Sequence, residues 1–512
     1  MGTQDLSRRT ALHGGLAAIG SLALPPVAPG PGEPAPVKEE NRHQGDPGWN
    51  GGRLRSFDDL RDIQGYPSSP SVNLGESIAF HVSTGSRAMP FRVEVHRIGH
   101  YAGAGARFMV RSPVLRGVPQ PIPRQGEHGV IRCGWKPSWR FTVPRSWTSG
   151  LYIASFVDAH GRRGQAPFVV RDDRAKSALL VILPFTTYQA YNLFPADGSL
   201  GASLYYGYVP ASDTARLGQP APDGGVYQAK AVPGKNYVMH YPARARTVSF
   251  ERPFAWHGLP SGFHLDLAFV RWSEAMGLDV SYAAGTDLDA GRVRPARHRA
   301  LVFCGHDEYW SSRMRDAVEG AVDTGVSVAF LAANNVYWRV RLSGGDRPDL
   351  TCFKTDPDPQ DELSTNTWRA LGDQGEHAEQ RLLGTQYLGI VTSPAPLIVR
   401  DPRHWFWRGT GVRDGDALPG LVAGEADGLA PGTPRPDAAR AWFLSESPVA
   451  TTQGTTIQRT SLYQAPSGAW VFNAGTLGWT PALLTDARIR TATANLLRRM
   501  ARTRSGASGE SG

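Results

Sequence analysis

The residues best suited to chemistry in this sequence lie in three short polar runs. The densest is His306-Asp307-Glu308. A histidine two residues from a glutamate suits a metal ligand or an acid–base pair, because imidazole and carboxylate both move protons and bind cations. Asp307 serves the same end or caps a helix that follows, where the helix dipole favours a carboxylate. The second run, Thr187-Tyr188-Gln189-Ala190-Tyr191-Asn192, opens a tyrosine-rich stretch that continues through Tyr205, Tyr206 and Tyr208. Such tyrosines either pack beneath a loop or present phenol oxygens. The third, Ala332-Ala333-Asn334-Asn335, offers amide groups or forms a turn. Cys304, just ahead of His306, suggests a thiol hydrolase. However, Cys304-Gly305-His306 lacks the spacing of a nucleophile elbow, and Cys304 reads as part of a buried strand.

Each run follows a predicted strand. Residues 179–183, 300–304 and 326–331 are continuous apolar segments, as expected of strands covered on both faces. Between the last two, Met314, Ala317, Val318, Ala321 and Val322 recur at helical spacing, with Ser311 or Ser312 to cap and Gly325 to end the helix. Residues 264–277 and 486–502 read as further helices, and 279–282 and 470–472 as strands. This alternation predicts an α/β domain over residues 173–503, a mostly parallel sheet flanked by helices. Ligands bind beyond the carboxyl ends of such strands. If the three strands are neighbours, the three polar runs share one mouth. Residues 340–440 read as loop-rich. Residues 61–172 differ: short alternating segments such as Ser77-Ile78-Ala79-Phe80-His81-Val82, separated by Gly, Pro and Ser, predict an all-β sandwich ahead of the α/β domain.

Composition narrows the function classes. The 512 residues carry 55 Lys plus Arg against 46 Asp plus Glu, a net charge of +9. The arginines are scattered along the chain, whereas a nucleic-acid surface clusters them. No apolar run reaches the ~18 residues of a spanning helix. Three cysteines, Cys133, Cys304 and Cys352, with no CxxC pair, argue against a thiolate zinc site and against a disulfide-stapled scaffold. Ser7-Arg8-Arg9-Thr10-Ala11-Leu12 precedes a mildly apolar stretch to Leu24, the layout of a twin-arginine signal peptide over residues 1–28. This predicts an exported protein, periplasmic or extracellular. Residues 29–60 are expected to be a Pro/Gly-rich solvated linker, and residues 504–512 a disordered tail.

Taken in order, several segments resemble the family of the N,N-dimethylformamidase large (beta) subunit, especially its carboxy-terminal domain. They are Thr187 to Asn192, Gly201-Ala202-Ser203-Leu204-Tyr205, Gly305 to Trp310, Ala332 to Arg339 and Ser467 to Phe472, preceded by His96 to Arg107. The resemblance covers roughly residues 60 to 500. It implies a mononuclear Fe(III), one per chain, held by two tyrosines and a glutamate, and the hydrolysis of an amide C–N bond. Carried over by position, Glu308 becomes the carboxylate ligand, Tyr191 the first phenolate with Tyr188 as its competitor, and Tyr205 the second. His306 and Asn334 become the assisting catalytic pair. The donor set is chemically consistent: phenolate and carboxylate are hard anionic donors suited to Fe(III), and a cation must stabilise a phenolate whose phenol has a pKa near 10.

The sequence departs from the family where a glutamate is expected ahead of the last Gly-rich strand. Gln458-Arg459-Thr460-Ser461-Leu462-Tyr463 contains no acid, and Glu446 lies further back. The expected partner is a small amide-like molecule, with no nucleic acid and no integral membrane segment once the signal is removed. Self-association into a homo-oligomer is left open. The competing expectation is a catalytically inactive, envelope-associated protein whose sandwich binds glycan.

Overall fold

The computed structural model describes residues 36–50, 54–210, 229–231, 237–354, 356–360 and 364–502. The signal peptide and the tail expected from the sequence lie outside these residues. The structure is sheet-rich, with 33% strand and 21% helix distributed over several sheets.

Two sheets are built from the first third of the described chain. One has the order Gln64–Pro67, Ser77–Ser83, Pro137–Thr142 and is antiparallel throughout. The other has the order Ser71–Asn73, Arg163–Arg171, Gly150–Asp158, Pro90–Ile98, Ala106–Arg111, antiparallel apart from its first pair. Their inward residues share one core around Phe80, Phe91, Val95, Phe156 and Phe168. Strand alternation produces this, because every second side chain faces the opposing sheet. Trp139 and Phe141 stack with Phe80, and Trp147 stacks on Tyr152, so these rings are spent on packing.

The central sheet comprises β1 (Leu179–Leu183), β2 (Val280–Ala284), β3 (Ala300–Phe303), β4 (Ser327–Phe330), β5 (Arg440–Thr451), β6 (Gly454–Gln464) and β7 (Trp470–Asn473). Its order is β2-β1-β3-β4-β7-β6-β5. The first five strands in this order pair in parallel. The β5–β6 hairpin extends the sheet antiparallel from β7, so the sheet is mixed where the sequence reading expected mostly parallel pairing. The continuous apolar runs split cleanly between the two faces. Leu179, Val181 and Leu183 enter one core, while Leu180 and Ile182 enter another. Helices α2 (Phe263–Ala275) and α4 (Ala487–Arg502) cover the first face, and α3 (Ser312–Asp323) covers the second through Met314, Val318 and Val322. The Ser311 hydroxyl caps α3 by accepting from the Met314 amide. Between the sheet and the site runs a short helix, α1 (Phe185–Ala190). Among the described residues no helix is long and apolar enough to cross a membrane.

Residues 36–50 depart from the solvated linker expected there. Val37 and Trp49 are buried in the main core, and Glu40 accepts from Arg107 and from the Tyr101 hydroxyl. Apolar anchors and a paired acid thus hold a polar, Pro/Gly-rich segment against the fold. Nearby, a fully buried ion pair joins the Pro90–Ile98 strand to α2. The Arg97 guanidinium meets both Glu274 oxygens at 2.8 and 2.9 Å, and Tyr282 also donates to that carboxylate. Burial alone would lower the Arg97 pKa, but Glu274 outweighs it and keeps the guanidinium charged. Removing one partner strands the other charge. Glu274→Ala is therefore expected to cost about 3–5 kcal/mol, measured as a lowered midpoint of unfolding.

Candidate active site

Strands β1, β3 and β4 are neighbours, so the three polar runs meet at one end of the sheet. Each is fixed by local bonds. Tyr191 follows α1, its amide bonded to the Thr187 carbonyl. Tyr205 sits on a tight loop in which the Ser203 hydroxyl accepts from the Tyr205 and Tyr206 amides, while the Leu204 amide reaches back to Ala190. The Thr187 hydroxyl accepts from the amides of Glu308 and Tyr309. The Glu308 carbonyl accepts from the amides of Tyr337 and Trp338. The buried Arg252 guanidinium spans the loop between the tyrosines, donating to the carbonyls of Asn192, Phe194 and Ala202.

Three side chains converge as a result. Tyr191 donates to Glu308 Oε2 at 2.7 Å, Tyr205 donates to Glu308 Oε1 at 2.5 Å, and the two phenol oxygens are 3.0 Å apart. The rings stack with centroids 4.4 Å apart. Glu308 is 1% exposed and Tyr205 8%. Burial first, and then the Glu308 carboxylate, push the Tyr205 pKa well above that of a free phenol. The phenol will not ionise here without a compensating cation. The Lys354 ammonium lies 3.5 Å from the centroid of the Tyr205 ring and 4.6 Å from that of Trp338, bringing positive charge to the face of one phenol.

His306 stands beside this triad without joining it. Its Nε2 lies 3.2 Å from Glu425 Oε2 and 3.7 Å from Glu308 Oε2. Burial pulls its pKa down, but Glu425, Glu308 and Asp307 outweigh that and push it up to about 9. A cavity of about 30 Å³ is lined by His306, Tyr191, Tyr188, Asp266 and Leu477 among others. Tyr188 is directed away from Glu308. Its hydroxyl donates to Asp266 Oδ2 at 2.6 Å, among Phe185, Phe254 and Phe263. Asn334 has φ of 54° and donates its backbone amide to Asp427 Oδ1. Its side-chain oxygen is buried with no hydrogen-bond partner among the described residues, and no bond joins it there to His306 or the triad. Asp307 is not a helix cap, since Ser311 takes that role. Burial and nearby Asp266 raise its pKa to about 7.

Four residues of this neighbourhood were not singled out from the sequence: Glu425, Asp427, Asp266 and Lys354. Glu425 and Asp427 alternate on the strand Glu425–Gly428, inside a stretch that reads as loop. Glu425 brings an acid to His306, where the 458–463 stretch offers none. Asp427 also accepts from Asn473 at the end of β7, tying Asn334 to the sheet. Cys304 donates to Asp266 at 3.2 Å, and burial raises its pKa far above the range of a reactive thiolate. Cys304→Ser is expected to retain full turnover in steady-state assays, and a dead variant would restore the thiol reading.

Among the described residues no three His, Cys, Asp or Glu side chains cluster as a metal site. The set that converges is two phenols and one carboxylate. Its chemistry fits a hard, highly charged cation, because three anionic oxygens would balance a 3+ ion and suit it better than a soft one. Fold and site together define a sheet-rich protein with a buried, all-oxygen donor set beside a histidine–glutamate pair. Residues 92–491 match the family described as N,N-dimethylformamidase beta subunit-like, C-terminal, and the chain belongs to that family. The N,N-dimethylformamidase beta subunit of Alcaligenes sp is 25% identical over 338 residues, which is 59% of this chain and 43% of that protein. The chain thus spans less than half the length of that relative. Similarity to solved structures is slight. The superoxide reductase (neelaredoxin) of Ignicoccus hospitalis is 12% identical, with a TM-score of 0.14 over 21% of this chain and 78% of its own. A cycloisomaltooligosaccharide glucanotransferase of Paenibacillus sp. is 7% identical, with a TM-score of 0.17 over 81% of this chain and 68% of its own. Neither likeness carries an argument.

Proposed function

We propose that the protein is an exported hydrolase of small amides that works with one ferric ion held by Tyr191, Tyr205 and Glu308. The observation that supports this most is the convergence of those three oxygen groups within 2.5–3.0 Å, around the buried Glu308 and Tyr205. The chemistry such an ion supplies when bound is Lewis-acid polarisation of the amide carbonyl and acidification of water. The remaining work falls to the chain itself. His306 borders the cavity and is paired with Glu425, which holds it as the imidazolium, so it can deliver a proton to the departing nitrogen. Glu425 orients the imidazole and balances its charge. Asn334, held at the strand mouth by Asp427, donates a hydrogen bond to the developing oxyanion once substrate is present. Tyr188 and Asp266 also line the cavity. Family membership supports amide hydrolysis, and the arginine pair Arg8-Arg9 supports export.

A panel of small amides, assayed for released amine with protein recovered from the exported fraction, tests this reading. Turnover of at least one small amide is expected, lost on chelation and restored by iron. Absence of amine release across the panel from iron-loaded protein would refute it.

A further inference from the structure

Arg252 is an anomaly in charge balance. It is 1% exposed, and all three of its hydrogen bonds go to neutral backbone carbonyls. Asp349, the carboxylate whose charge reaches it, is bound by Arg132. A buried charge without a counter-ion is costly, so an unpaired one asks for an explanation. The Nε–H of Arg252 is also buried with no partner among the described residues.

Arg252 also lines a second cavity, of about 20 Å³, between the N-terminal strands, α1 and residues 250–254. Two further lining residues carry donors to spare. Gln189 uses its Oε1 to accept from Asn192 and donates its Nε2 to no described group. The Tyr66 hydroxyl accepts from the Trp135 amide, and its own proton goes to no described acceptor. The rest of the wall is apolar, with Phe185, Phe250 and Phe254 prominent, and no carboxylate is present in it. The space exceeds the ~10–15 Å³ that one water needs, yet it is too small for an organic anion or a phosphate.

We propose that this cavity is a binding site for one small monovalent anion of the halide class, which supplies the counter-charge of Arg252. The consequence reaches the active site through the backbone. Arg252 grips Asn192, next to Tyr191, and Ala202, three residues before Tyr205, so an anion that fixes Arg252 fixes the spacing of the two phenols. The inference rests on donors, charge and volume, and is independent of the amide reading.

Thermal unfolding of the full chain at constant ionic strength, in sodium chloride against sodium gluconate, tests it, together with bromide-soaked crystals measured for anomalous signal. Chloride is expected to raise the midpoint saturably, by about 3 °C near a hundredfold excess over Kd. One bromide peak is expected in the cavity. Gln189→Glu keeps the acceptor to Asn192 and builds in a carboxylate, so its midpoint should no longer depend on chloride. Arg252→Met should lose the same dependence. Identical wild-type midpoints in the two salts would overturn the proposal, as would a cavity holding only water in the bromide crystal. A chloride response that survives in Gln189→Glu would do so as well. If Arg252→Met fails to fold, Gln189→Glu and the bromide map still decide.

Discussion

Glu308→Ala is expected to yield a folded, colourless protein with no bound iron and no turnover. The scaffold around residue 308 does not depend on its side chain. Its amide donates to Thr187, and its carbonyl accepts from Tyr337 and Trp338, bonds that alanine keeps. The carboxylate, by contrast, accepts from both phenols, at 2.7 and 2.5 Å. Without it two donors of one negative charge each remain against a 3+ ion. The loss of affinity should exceed the ~10–100-fold that deleting an outer hydrogen-bond partner of a metal ligand costs. Metal analysis of the purified variant, with circular dichroism to show folding, is the check. Retention of wild-type iron would remove Glu308 from the ligand set.

His306→Ala is expected to do the opposite: keep the metal and lose ~10²–10⁴-fold in turnover, the usual contribution of a positioned proton-transfer group. His306 lies 3.7 Å from the shared carboxylate and closer to Glu425, at 3.2 Å, so its primary partner is an acid outside the converging oxygens. It also lines the cavity that adjoins Tyr191. Glu425→Gln should follow His306→Ala in kind, with a smaller fall in turnover, since the imidazole survives but loses its charged partner. Loss of metal from His306→Ala as complete as from Glu308→Ala would show that this division of roles is wrong.

The parts of the fold legible in the sequence were those with a strong periodic signal. The run Leu179 to Leu183 announces a strand covered on both faces, and the Met314–Val318–Val322 spacing announces a helix on one of them. Because ligands gather at strand ends, the polar residues after these strands were identifiable before any contact was known. The family resemblance favoured Tyr191 over Tyr188, and the two differ in their partners. The Tyr188 hydroxyl meets Asp266 from within α1, whereas Tyr191, just past the end of α1, meets Glu308. The β5–β6 hairpin was not legible. Its buried Gln458 and Thr460 are polar, bonded to the Ala474 carbonyl, and they mask the alternation. Glu425 and Asp427 were missed for a related reason. They reach the site by long-range pairing of a short strand with Gln386–Ile390, and nothing local marks them. Lys354 and Arg252 act through ring faces and backbone carbonyls, partners that spacing along the chain cannot reveal.

The most direct test of the central claim is the iron content and visible spectrum of protein exported natively from an iron-replete host. Close to one iron per chain is expected, with a broad phenolate-to-iron absorption band that fades in both Tyr191→Phe and Tyr205→Phe. Folded wild-type protein that emerges colourless and free of iron would contradict the account.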